Sequence, residues 1–201
     1  MMIRYLVLMA LVALFSSCKL RSADFAVVND FLEYEMTGKA YDTIFVIKRK
    51  AENEYTIQLY DWGYEGRFTY NPNFGSVWVE PLLSDWPFDQ KEIDRLKAGL
   101  PNESSEIWRK EDFTNKDFLF VNKEELRTKE FINRHISGKN HVFLISKPMF
   151  DRTGNYAIFY YAPTSTGIGP VYPYVNHGMK LMKKEGKKWK FVTNIIEQAY
   201  N

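Results

Sequence analysis

The sequence predicts a single α+β domain, mainly an antiparallel sheet with about three helices. Three observations carry this. Short β-rich runs separated by turn residues recur along the chain. Three segments instead show helical spacing of apolar residues between recognisable caps. No internal repeat or low-complexity linker divides them. At 201 residues the chain is long enough for one well-buried core. Its apolar content of 45% and charged content of 26% are ordinary for a globular protein, whereas 16% aromatic residues is high.

Within the expected domain, 22–201, the first element is a helix over 22–36. Ser22 is its N-cap and Asp24 lies in its first turn, where a carboxylate favours the helix dipole. Phe25, Val28, Phe31, Leu32 and Met36 form one apolar stripe, and Gly38 ends it. Thr43–Lys48 and Tyr55–Tyr60 are expected to pair as a hairpin around Lys50–Glu54, the first strand central because its apolar run is continuous. Residues 61–90 mix aromatics with glycine and proline, and the expectation is short strands near 66–70 and 76–80. Asp89–Ala98 is a short helix with Asp89 as cap, Glu92 three residues on, and Gly99 and Pro101 as stops. A polar loop over 102–115 follows.

Phe118–Val121 is expected as a strand and Asn122–Ile136 as a helix. That helix has an Asn122/Glu125 capping-box pattern and Leu126, Phe131 and Ile132 on its buried side. His141–Lys147 and Tyr156–Tyr161 are antiparallel strands around the Asp151–Asn155 turn, where Gly154 meets the need for positive φ. A Gly/Pro/Tyr loop covers 162–177. Gly178–Lys184 and Trp189–Asn194 close the chain as a hairpin around Glu185 and Gly186.

The N-terminus is organised differently. Arg4 gives a cationic start, Tyr5–Phe15 is an unbroken apolar run, and the small residues Ser16 and Ser17 precede Cys18. The run is shorter than the roughly 20 apolar residues that span a bilayer, and the layout is that of an exported precursor. Leu14-Phe15-Ser16-Ser17-Cys18 resembles the lipobox of bacterial lipoproteins, with Phe15 where an aliphatic residue is usual. The resemblance implies a signal peptide over 1–17, a lipid on Cys18 and a short tether over 18–21. Lys19 stands where enterobacterial lipoproteins retained in the inner membrane carry Asp, which points to the outer membrane. Two or three acyl chains, at about 0.8 kcal/mol per buried methylene, make such an anchor effectively permanent. The stretch Ile145–Tyr161, followed by Leu181–Val192, resembles the C-terminal part of uncharacterised lipoproteins of Bacteroidetes-type bacteria. That resemblance covers about a quarter of the chain and implies a lineage without an activity.

Composition narrows function. Lys and Arg number 27 against 25 acidic residues, which gives no global support for a nucleic-acid partner. Lys180, Lys183, Lys184, Lys187, Lys188 and Lys190 cluster near the last hairpin, where lysines keep a strand edge solvated, with an anion site as the alternative reading. With Cys18 as the sole cysteine, an intramolecular disulfide and a cysteine-based zinc site are both excluded. His135, His141 and His177 match no metal-binding spacing, so no metal or cofactor is expected. The hydroxyl- and glycine-rich stretch Thr164–Gly169 leads into Pro170 rather than a helix and is read as a plain loop.

Two groups of residues have functional interest. Trp62, Tyr64, Trp78 and Trp86 offer aromatic faces for an apolar, sugar or protein ligand, against the plainer reading that the tryptophans fill the core. Tyr172, Tyr174 and His177, with Asn176, lie in an unusually aromatic loop. The favoured reading is a lipid-anchored envelope protein, attached to the membrane through Cys18, that binds a protein partner, a glycan or a small amphiphile. Two alternatives remain open. One is an envelope hydrolase using His177 or the carboxylates near Trp86, namely Asp61, Glu65, Glu80, Asp85, Asp89 and Glu92. The other is a structural assembly subunit, marked by a large exposed apolar patch.

Overall fold

From Tyr156 to Ala162 the side chains alternate between two apolar clusters, and that alternation organises the domain. Ala157, Phe159 and Tyr161 enter one cluster, while Ile158, Tyr160 and Ala162 enter another. A strand buried on both faces must sit inside a sheet covered on both sides. The computed structural model describes residues 25–39, 43–65, 76–100, 106–115, 117–135, 140–165 and 177–198. It is an α+β domain with eight strands among the described residues: β1 (Thr43–Ile47), β2 (Ser76–Glu80), β3 (Leu119–Val121), β4 (Asn140–Ile145), β5 (Met149–Phe150), β6 (Tyr156–Ser165), β7 (Gly178–Glu185) and β8 (Lys188–Gln198). Their order is β2-β8-β7-β6-β4-β1-β3, with β5 beside β6. The pairing is antiparallel except where β1 lies parallel between β3 and β4. The continuous apolar run of β1 is thus internal, as expected.

Helix α1 (25–36) covers one face. Its Val27, Val28, Phe31 and Leu32 pack with Val46, Phe143, Phe159, Tyr161 and Trp189. Gly38, at φ +73°, follows the helix in the left-handed conformation that glycine tolerates. Side-chain bonds fix how the helix sits. Asp30 accepts from the Trp189 amide at 2.8 Å and from Lys188 Nζ at 2.9 Å. Asn29 donates to the Asp112 carbonyl and accepts from the Thr114 amide.

Helices α2 (Asn53–Tyr64) and α3 (Gln90–Ala98) cover the opposite face, where Ile57, Tyr60 and Ile93 meet Ile158, Leu181 and Ile195. Asp89 caps α3 by accepting the Glu92 amide at 2.8 Å, as its sequence implies. A third cluster of Phe45, Ile47, Val121 and Val142 is covered by Leu126 and by Phe131 of α4 (Lys129–His135).

Several expectations need correction. The Tyr55–Tyr60 segment lies within α2, so the hairpin with β1 does not exist, and the described residues hold four α-helices rather than about three. Over six residues Tyr55, Ile57 and Leu59 alternate like a strand. Over the whole segment the buried set is Thr56, Ile57, Leu59, Tyr60 and Gly63, which is helical spacing. Gly63 is what lets this helix lie so close to the sheet, because a Cβ there would stand 2.7 Å from Ile195 Cδ1 and 2.8 Å from the Trp86 ring.

The helix expected over 122–136 is split. A 3₁₀ turn, Glu125–Arg127, comes first, and α4 begins at Lys129 after Thr128 Oγ1 accepts the Phe131 amide. Asn122 instead bonds the Glu125 side chain, and Ile132 is exposed rather than buried. The loop expected over 102–115, described from 106, contains a bridge at Ile107, the buried Trp108 and a 3₁₀ turn at Lys110–Asp112. The lysine group is not uniformly solvated, because Lys180 is buried. The signal peptide and tether over 1–21, Ser22, the strand expected near 66–70 and the loop from 166 to 176 lie outside the described residues.

Candidate functional site

The strand period places one lysine where none was expected. In β7, Gly178, Lys180 and Met182 share a face, and Met182 belongs to the cluster beneath α1. Lys180 therefore points towards α1, and it is only 5% exposed. Lys183, Lys184, Lys187, Lys188 and Lys190 are exposed around the turn at Gly186, so Lys180 alone leaves the solvated group. Strands β7 and β8 are themselves internal to the sheet.

Around Lys180 a cavity of ≈ 220 Å³ opens between α1 and strands β6 to β8. Asn194 of β8 stands directly across the ladder from Lys180, and its Oδ1 accepts a hydrogen bond from Nζ. The ammonium also lies 5.5 Å from the centroid of the Tyr161 ring, within range of a cation–π contact. Phe31 meets Tyr161 edge to face at 4.9 Å. Tyr34 stacks on Phe191 at 5.2 Å and 13°, making one aromatic wall. Tyr34 is 56% exposed, which puts this wall at the mouth. Glu35 and Lys39, which form an ion pair, complete the lining with Pro163.

Burial pushes the Lys180 amine down to about 8. Glu35 opposes that shift and Lys39 adds to it. The site therefore combines aromatic walls with a cation whose charge changes in the mildly alkaline range. Such an arrangement can hold a small molecule with an apolar body and a polar head.

The residues singled out in the sequence are dispersed. Trp62 and Trp86 are half-buried at the margin of the cluster under α2, and Trp86 meets Tyr60 at 5.2 Å and Tyr64 at 5.8 Å, both edge to face. Tyr64 is exposed at the end of α2, and Trp78 is 52% exposed on β2. His177 is buried, with its ring 6.3 Å from Tyr160. Tyr172, Tyr174 and Cys18 lie outside the described residues. The tryptophans thus divide between packing and surface.

Several carboxylates near Trp86 have structural partners. Asp61 pairs with Lys97 at 2.9 Å, Asp89 caps α3, and Glu92 holds Arg95 and, at 3.0 Å, Arg152. Among the described residues no three His, Cys, Asp or Glu side chains are grouped to hold a metal. No helix among them is long and apolar enough to cross a membrane.

One further charged cluster is structural. Lys50 is buried, lies 4.3 Å from the centroid of the Trp108 ring and bonds Glu106 at 2.8 Å; Lys147 bonds the other Glu106 oxygen at 2.9 Å. Burial raises the Glu106 carboxyl, but the two lysines outweigh it and hold it below the usual range.

Sequence reasoning missed Lys180, although a signal was present. Met179-Lys180-Leu181-Met182 sets a lysine inside an apolar run, three residues before the exposed lysines begin. Comparison with protein-family models, curated proteins and solved structures finds no match, so the reading of this site rests on its geometry alone.

Proposed function

We propose that this chain is a cell-envelope protein, held on the outer membrane by a lipid on Cys18, whose domain binds a small amphiphile. The observation that carries the binding part is the cavity between α1 and the sheet. Aromatic rings form its walls and a buried lysine its floor. A lysine that costs stability when buried suits a site better than a scaffold. The anchor rests on Tyr5–Phe15 and the Ser16-Ser17-Cys18 sequence. Confinement at a surface makes modest affinity sufficient.

A second surface deserves testing for a protein or glycan partner. Trp78 and Leu82 are both exposed, and β2 ends the described strand order. A hydrolase has weaker support, because Asp61, Asp89 and Glu92 are engaged in pairs and a cap. A structural assembly subunit would need a broad apolar patch around Trp78 and Leu82.

Two measurements test the proposal. Mass spectrometry of protein from its host membrane should find an N-terminus at Cys18 carrying two or three acyl chains, absent in Cys18→Ser. NMR titration with the neutral amphiphile 3-phenylpropanol should shift amides around Tyr34, Tyr161, Lys180 and Phe191. An unmodified chain in the soluble fraction overturns the anchor. Unchanged spectra with both this alcohol and its carboxylic acid overturn the cavity as a binding site.

A further inference from the structure

We propose that the lysine-rich tip of the β7–β8 hairpin docks on the anionic phospholipid head groups of the membrane that holds Cys18, and so fixes which end of the domain faces that membrane. This rests on the reading that the chain is lipid-anchored, and it adds a second, electrostatic contact with the same surface.

Topology removes the ordinary reason for lysines here. Lysines blunt exposed sheet edges, but β7 lies between β6 and β8, and β8 between β7 and β2. The tip also runs past both flanking strands. Tyr156, where β6 begins, stands opposite Lys183, and Glu80, where β2 ends, stands opposite Asn194. Beyond Lys183 the strands pair across the hairpin, with one outside bond from the Lys184 amide to the Asn155 carbonyl. Gly186, at φ +63°, closes the turn. The result is a short projection whose exposed side chains are Lys183, Lys184, Glu185, Lys187, Lys188 and Lys190.

The projection carries an excess of positive charge. Glu185 pairs with Lys190 at 2.8 Å and is also drawn to Lys183. Lys188 reaches Asp30 and Glu33 of α1 at 2.9 and 3.0 Å. Among the described residues these are the carboxylates that the five lysines meet, so five amines face three acidic groups. The adjoining turn does not offset the difference. Arg95 and Arg152 share Glu92, and Asp151 is taken up by the amides of Asn155 and Tyr156. Lys183 and Lys184 lie 5.8 and 5.9 Å from the ring centroids of Tyr156 and Trp189, contacts that position an ammonium without cancelling its charge.

Position selects the partner. Seven residues separate Cys18 from Phe25 at the start of α1, a span of at most about 25 Å. Asp30, which meets Lys188 and the Trp189 amide, lies only about 8 Å further along the helix. The tip therefore sits beside the half of α1 that the anchor holds near the membrane, whereas Lys39 stands at the other end of that helix. Lysines held this close to an anionic bilayer each contribute roughly fivefold to surface association, and tethering spares the cost of bringing the domain there.

The test uses mature protein purified from its host membrane and placed in vesicles of phosphatidylcholine alone or with roughly 30% phosphatidylglycerol. Lysines are acetylated briefly at neutral pH and their labelling rates read by mass spectrometry. On the anionic vesicles Lys183, Lys184, Lys187 and Lys190 should label at least about fivefold more slowly than on the neutral ones, with Lys39 unchanged within about twofold. Salt near 1 M, which shortens screening to about 3 Å, should remove the difference. In the triple variant Lys183→Gln, Lys184→Gln, Lys187→Gln, protection of Lys190 should fall below about twofold. Equal labelling of the tip on both vesicles overturns the inference and leaves the anchor standing. So does protection that persists in the triple variant or in high salt, or that inorganic phosphate reproduces on neutral vesicles. The mass of the same sample reports the acyl chains on Cys18, and their absence overturns the anchor and the docking together.

Discussion

Replacing Lys180 with methionine removes the most deeply placed cation of the cavity and should reveal what its burial costs. An ordinary lysine titrates near 10.5, and Lys180 is held at about 8 by burial. The unfolded chain therefore binds more protons than the folded one between those values, and stability linked to this group rises as pH climbs through that window. Below pH 8 the folded state carries the full penalty, about 3 kcal/mol by the usual conversion of a pKa difference. By pH 10 most of it has gone. Lys180→Met has no such term, so its stability minus that of wild type should fall by about 2–3 kcal/mol between pH 7 and pH 10. The absolute difference at either pH is harder to fix, because Asn194 loses a hydrogen-bond partner in the variant, worth about 1–3 kcal/mol if unreplaced. That loss is nearly independent of pH, and tyrosine ionisation common to both proteins cancels in the difference. Urea titrations followed by tryptophan fluorescence at pH 7, 8, 9 and 10 give the required curve. A difference that stays constant across the four values refutes the assignment of Lys180 as a buried, destabilised cation.

Three further substitutions probe how the covering elements are held. Tyr60 Oη accepts from the Phe88 amide at 2.9 Å and donates to the Phe88 carbonyl at 3.2 Å, so Tyr60→Phe leaves both groups without their partner. The expected loss is about 1–3 kcal/mol in denaturant unfolding, and a neutral result shows the contact to be dispensable. Gly63→Ala raises helix propensity by about 1 kcal/mol, yet its Cβ strikes Ile195 and Trp86. A net loss of about 1–3 kcal/mol is expected, with increased thermal stability as the contrary outcome. Asp151 accepts from the amides of Asn155 and Tyr156 at 2.9 and 2.8 Å. Asp151→Ala should cost about 1–2 kcal/mol and raise amide exchange at Gly154–Tyr156; unchanged exchange argues against the turn's dependence on this side chain.

The parts of the fold legible in the sequence are those where a local signal and the tertiary environment agree. The stripe of α1 and the Asp89 cap of α3 appear as expected, and the glycines read as a helix stop at Gly38 and as turns at Gly154 and Gly186 all have positive φ. Each is decided within a few residues. Tyr55–Tyr60 failed because six residues with apolar groups at every second position also fit one helical face, and the deciding residues, Thr56, Tyr60 and Gly63, act through contacts far along the chain. Ser146 is bonded to Tyr160 of β6, with its Oγ accepting the Tyr160 amide at 2.9 Å and its own amide donating to the Tyr160 carbonyl. The change from β4 to β5 thus depends on a side chain standing in for a backbone acceptor, just before Pro148, which has no amide hydrogen to give. Such a substitution leaves no periodic trace.

The cavity was hidden for a different reason. Its walls come from residues that a sequence reading assigns to the core, and Phe31 and Tyr161 are indeed core residues. Tyr34 and Phe191 stack on each other instead of closing over Lys180. Trp62, Tyr64, Trp78 and Trp86 stand out in the sequence as aromatic faces among glycines and prolines, whereas the cavity places its aromatic faces around a cation. The feature that could have exposed it is the parity of β7. Once Met182 is placed in the core, Lys180 must share its face, and a lysine on a buried face needs a partner, a path to solvent or a ligand. The structure supplies the Asn194 amide and the Tyr161 ring, both beside an opening. A scaffold needs only to satisfy the amine. Lys180 is held beside an opening lined by Phe31, Tyr34, Tyr161 and Phe191, which a scaffold does not require.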